Sequence, residues 1–121
     1  MTFLETILGE ILLIFKREGI EENSEADIIR RLDIRTSTFH ELFKSKEDMV
    51  LQVVKYDLEQ QNLEQSKMLA KAANPVEEIM SLLVDGVEKM KQVNPKYILD
   101  LQLYPQAWQA SLDHLSNNNQ Q

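Results

Sequence analysis

Three hydroxyl side chains in a row, Thr36, Ser37 and Thr38, lead a short apolar-striped segment that ends at Leu42. Small hydroxyls on the first turn of a helix can reach base edges in the major groove, where bulkier groups would hold the helix off the DNA. Basic side chains gather around them: Arg30, Arg31, Arg35, Lys44 and Lys46 all fall between residues 30 and 46. Cations so placed suit backbone phosphates. Just upstream, Asn23 and Ser24 are both able to cap a helix, and Ser24 with Asp27 approximates a capping box. Ala26, Ile28, Ile29 and Leu32 then form an apolar stripe that breaks at Asp33-Ile34. Phe39, Leu42 and Phe43 supply the buried side of the second pattern. Ser45 caps a third helix, with Glu47 and Asp48 in the first turn, where the macrodipole favours acids. A helix, a tight turn and a short helix with a small polar leading edge is the arrangement a major-groove reader needs.

The stretch from Gly19 to Met49 resembles the N-terminal DNA-binding segment of the tetracycline-repressor (TetR) family of bacterial regulators. Gly19, Ile28, Ile34, Thr38, Phe43, Ser45, Lys46, Glu47 and Met49 fall on the family's pattern without a gap. The resemblance implies an all-α fold in three parts. Residues 1–46 form a three-helix DNA-binding domain with a helix-turn-helix. A long connector helix follows, and residues 47–121 make up a shortened helical module for ligand binding and dimerisation. It further implies a ligand-responsive regulator that reads a palindromic operator in double-stranded DNA as a homodimer, through the helix around residues 35–42. Ser24 and Lys46 then touch flanking phosphates, and Thr36, Ser37 and Thr38 face the bases. Arg35, His40 and Lys44 complete the DNA-binding set. Four positions depart from the family: Asp33 stands where a turn glycine is usual, Arg35 at the usual Ser/Thr cap, Ser37 at a small Ala or Gly, and His40 at a phosphate-touching tyrosine. Arginine cannot accept the capping bond, so Thr36 is expected to take that role.

At 121 residues, with 43% hydrophobic and 27% charged side chains, the chain has the composition of a globular protein. A net charge of −7 argues against a general nucleic-acid binder. Local placement of the basic residues must carry any attraction, which is then salt-sensitive. The same charge favours a second possibility, a helical protein- or small-molecule-binding module that keeps the fold without DNA binding. With no cysteine there is neither disulfide framework nor thiol chemistry, which fits a reducing cytoplasm. The apolar opening carries Glu5 and Glu10 and no basic leader, so it reads as neither a signal peptide nor a membrane span. Few glycines and prolines and little strand-like alternation point to helices throughout. No catalytic constellation, metal cluster or phosphate loop is present, and neither an enzyme nor a cofactor is expected: His40 and His114 lie far apart, and Glu21-Glu22 and Glu77-Glu78 diverge on a helix.

Along the chain, helix 1 is expected from Thr2 to about Glu18, ended by Gly19. Helix 4 runs from Lys46 to about Lys71, apolar at Met49, Val50, Val53 and Val54 and polar afterwards, which suits either a connector or a plain solvated face. Asn74-Pro75 and Asn94-Pro95 each restart a helix. Helix 5, with apolar residues on more than one face, is expected at the centre of the second module. Met80, Leu83, Met90, Tyr97, Leu101, Tyr104 and Trp108, with Met68 nearby, line a pocket for a small apolar ligand or else simply fill a core. Residues 116–121 read as a disordered tail. The family's further helices, which pair its subunits, have no counterpart in the sequence, so apolar surface is expected around helices 5 to 7.

Overall fold

The Thr2 hydroxyl accepts the Glu5 N–H at 3.1 Å and starts α1 (Phe3–Glu18). A computed structural model of the chain describes residues 2–119; the side chains of residue 90 and residues 115–119 lie outside what is described. After α1 come α2 (Glu25–Leu32), α3 (Thr36–Leu42), α4 (Lys46–Lys71), α5 (Pro75–Gln92), α6 (Pro95–Leu101) and α7 (Pro105–Asn119). The described residues form an all-α structure, and no helix among them is long and apolar enough to cross a membrane.

Local chemistry sets the starts. Ser24, Ser45 and Asn74 each accept the N–H three residues on, and Asn94 that of Lys96. Ser24 and Asp27 complete the capping box reciprocally. Asn23, the other cap candidate, is buried instead. Its Oδ1 accepts from Arg31 Nη1 at 3.1 Å, while its Nδ2 finds no hydrogen-bond partner among the described residues. Arg35 is the N-cap of α3 and makes no side-chain cap bond. Thr36 does not take over that role: it is already the first helical residue, so its own hydroxyl sits past the cap position.

The core is built on α1 against the first half of α4. Ile11, Phe15, Met49, Val50 and Val53 are fully buried there, and Ile20, Ile28, Phe39 and Phe43 close over them. Phe39 and Phe43 meet at a ring distance of 5.1 Å. Each such side chain contributes about 1.5–3 kcal/mol of burial free energy. Tyr97, Leu101, Tyr104 and Ala107 join the same cluster, so α6 and the start of α7 pack into the core that residues 1–46 also share.

The link between α6 and the α1–α2 connection is polar. Asn94 N–H donates to Lys16 O at 2.7 Å and its Nδ2 to Arg17 O at 3.0 Å, satisfying carbonyls at the open end of α1. Asp100 Oδ2 accepts both the Ile20 and Glu21 N–H groups at 3.0 Å. Gly19, at φ 89°, is required twice over. Its conformation is left-handed, and a Cβ there would lie 2.9 Å from Asp100 Oδ2 and from Lys96 Cβ.

A further expectation fails at α5. Helix α5 is not central: Val76, Ile79 and Leu83 are 69%, 59% and 59% exposed. It turns its polar residues toward α4 instead, where Lys89 Nζ pairs with Glu64 Oε2 at 2.8 Å. Residues 116–119 continue α7, and Gln120 and Gln121 lie outside the described residues. Exposed Ile98, Leu99, Leu103 and Leu112 agree with the apolar surface expected around helices 5 to 7.

Two stability tests follow from the turns. Asp33 holds the turn between α2 and α3 at φ 55°, ψ 46°, so Asp33→Ala should cost about 1 kcal/mol in urea unfolding while Asp33→Gly should not. Asp100→Ala removes two charge-assisted bonds and should cost about 2 kcal/mol, and Asp100→Asn, which keeps an acceptor, roughly half as much.

Candidate nucleic-acid interface

Phe39 and Phe43 anchor α3 in the core and thereby decide what its other side presents. At helical spacing Ser37, His40 and Glu41 turn away from that side and are exposed; Thr36, three residues before Phe39 and seven before Phe43, lies on the phenylalanine side but is exposed at the first turn. Thr38 lies on the flank beside Leu42 and is half-buried, so the three consecutive hydroxyls do not present one edge. The His40 ring stands edge-on to Phe39, with centroids 5.6 Å apart.

The phosphate candidates lie on α3 and on the segments before and after it. Ser24 sits exposed at the start of α2, where its oxygen already accepts the Asp27 N–H. Arg35 and Lys44 flank α3 and are exposed, with no ion pair among the described residues. Lys46 opens α4 with its Nζ 3.9 Å from Glu21 Oε1. Glu21 also accepts from the Tyr104 hydroxyl at 2.5 Å. Burial first, and then this carboxylate, push the Tyr104 phenol well above its ordinary pKa, so it stays protonated and donating.

Neighbouring acids temper the basic cluster. Arg30 pairs with Asp27 at 2.8 Å and Arg31 with Glu18 at 2.7 Å. The Arg31 hydrogen bond is the main cause holding the Glu18 carboxyl below its usual pKa, and the pairing raises that of Arg31. These pairings, and Glu41 on the outer face of α3, were not foreseen. The Arg31–Glu18 pair joins two helices, and its separation carries no local signal.

The expected ligand pocket does not form as one site. Met80 and Leu83 lie on the exposed side of α5; Leu101 and Tyr104 are buried in the core; Trp108 is half-buried beside it. Met90 falls outside the described side chains. The seven are divided among separate hollows: Met80, with Met68, lines one of about 650 Å³ between α4 and α5, Tyr104 lines another beside the start of α4, and Tyr97 lines a pocket of about 460 Å³ between α1, α4, α5 and α6. Lys16, Asp57, Gln61, Val93 and Ile98 form its other walls. Within it Asp57 is buried, accepting from Lys16 Nζ and from Gln61 Nε2, each at 3.2 Å. Burial, with the nearby Asp57 charge, pushes the Tyr97 phenol far up.

Compared with protein-family models, curated proteins and solved structures, the chain matches none of them.

One prediction concerns pH. The Ser24 backbone N–H, and then its hydroxyl, hold the Asp27 carboxyl below its usual pKa. A depressed folded pKa contributes stability above the unfolded value, and that stability is lost as pH falls through the folded one. Amide-exchange protection at the start of α2 should therefore drop below about pH 4. In Asp27→Asn the protection should be lower at neutral pH and the acid step smaller.

Proposed function

We propose that the chain is a TetR-type transcription regulator that reads a short palindromic DNA site as a homodimer, one α3 per half-site. Thr36 and Ser37 contact base edges, with Thr38 at the flank. Ser24, Arg35, His40, Lys44 and Lys46 hold phosphates around them. The observation that carries this reading is the outer face of α3: a short helix anchored by two buried phenylalanines, presenting small polar side chains between exposed cations. The ungapped likeness of residues 19–49 to the family pattern supports the same reading. The pocket beside Lys16 and Asp57 supports a responsive role. Its walls suit a small, largely apolar molecule carrying one polar group, and it touches both α1 and α4. Such a regulator works in the cytoplasm.

A second reading rests on the charges. Glu18, Asp27 and Glu21 each engage or approach a basic residue, and Glu41 stands on the outer face. A protein-binding module that keeps this fold without binding DNA would tolerate that arrangement.

Fluorescence anisotropy at low salt, using duplexes tiled from the DNA upstream of the gene, separates the two. Lys46→Ala should weaken binding to every sequence roughly tenfold and lower the log–log salt slope by about 1. Ser37→Ala should instead flatten discrimination between sequences and leave the slope alone. A Lys46→Ala isotherm identical to that of the unaltered chain removes Lys46 from the interface. No binding at high protein concentration favours the second reading.

A further inference from the structure

Along α5, Val76, Ile79, Met80, Leu83, Val84 and Val87 fall within one arc of about 140° at helical spacing. Each is more than half exposed. On the opposite arc, Glu78, Ser81, Asp85 and Lys89 are partly buried toward α4. Lys89 Nζ lies 2.8 Å from Glu64 Oε2 and 3.0 Å from Asp85 Oδ2, which fixes the helix in that rotation. The helix thus packs its polar side inward and leaves a continuous apolar face outside, larger than scattered surface hydrophobics require.

We propose that this face is where a second copy of the chain docks, the two α5 helices lying antiparallel about a two-fold axis near Leu83. Spacing is the first argument: Val76, Met80, Leu83 and Val87 follow steps of four, three and four, the seam of a two-helix pair. Charge supplies the orientation. Glu77 and Lys91 border the same flank of the seam at opposite ends of the helix. Antiparallel packing sets Glu77 against the partner subunit's Lys91 twice, whereas parallel packing leaves them roughly 20 Å apart along the axis and unpaired. Opposed macrodipoles favour the same orientation. Area is the third argument. A helix of 18 residues is about 27 Å long, and pairing two such faces buries on the order of 1,000 Å², the lower edge of specific interfaces. The dimer is therefore a reversible one, in the micromolar range. It supplies the two-fold partner that the palindrome reading needs, and so deepens that reading, but it stands on α5 alone.

The test uses the full chain without DNA, so failure to dimerise and failure to bind DNA are read separately. Sedimentation velocity from about 1 to 200 μM should show a monomer–dimer equilibrium, spanning the affinity expected for so small an interface. Leu83→Glu, at an exposed site and with unchanged circular dichroism, should weaken association at least tenfold. The chain lacks cysteine, so one introduced thiol reports only on its own copy. Leu83→Cys should form a disulfide-linked dimer under mild oxidation. Val76→Cys should not, because antiparallel packing holds its two copies roughly 20 Å apart. A monomer at every concentration, association untouched by Leu83→Glu, or Val76→Cys cross-linking as readily as Leu83→Cys would each overturn the proposal.

Discussion

The contact between α1 and the first turns of α4 is what the remaining structure depends on. Ile11 and Phe15 meet Met49, Val50 and Val53 with no solvent exposure at any of them. Helices α2 and α3 are eight and seven residues long, too short to be stable alone in water. They hold their shape because Ile28, Phe39 and Phe43 are buried over that contact. The outer face of α3 is consequently a by-product of its inner one. With Phe39 and Phe43 committed to the core, helical geometry turns Ser37, His40 and Glu41 outward, and Thr36 is exposed because it begins the helix.

Electrostatics then decide how much of the basic cluster remains available. Arg30 and Arg31 are engaged by acids on α2 and α1, and Glu21 stands near Lys46 while accepting from Tyr104. A phosphate approaching Lys46 competes with a carboxylate that belongs to the α1–α2 connection. That connection is itself held by Asp100 and Asn94 of the α6 segment. The surface near α3 is therefore joined by hydrogen bonds to the region of the Lys16–Asp57 pocket, since Asn94 N–H bonds the carbonyl of Lys16 itself.

Helix α5 shows a different balance. Its polar side faces α4 through the Lys89 ion pairs, and its apolar side faces solvent. Partly exposed ion pairs stabilise by about 0–1 kcal/mol, much less than burial of six aliphatic side chains. The arrangement gains its logic from a covering surface on the apolar side.

Much of the fold was legible in the sequence because helix limits are local. Thr2, Ser24, Ser45, Asn74 and Asn94 each bond an N–H two or three residues away, and prolines at 75 and 95 sit where no donor is needed. The hydroxyl and basic residues around α3 could be named for the same reason, and so could Phe39 and Phe43 as its buried side. The Asp27–Arg30 pair, three residues apart on α2, is local as well. Tertiary structure alone decided that Thr38 is half-buried, that Glu18 occupies Arg31, and that Asp100 caps a connection some eighty residues earlier. It also decided that α5 faces outward. Periodicity reveals that a helix has an apolar face, but what that face meets depends on the shape and charge of distant segments.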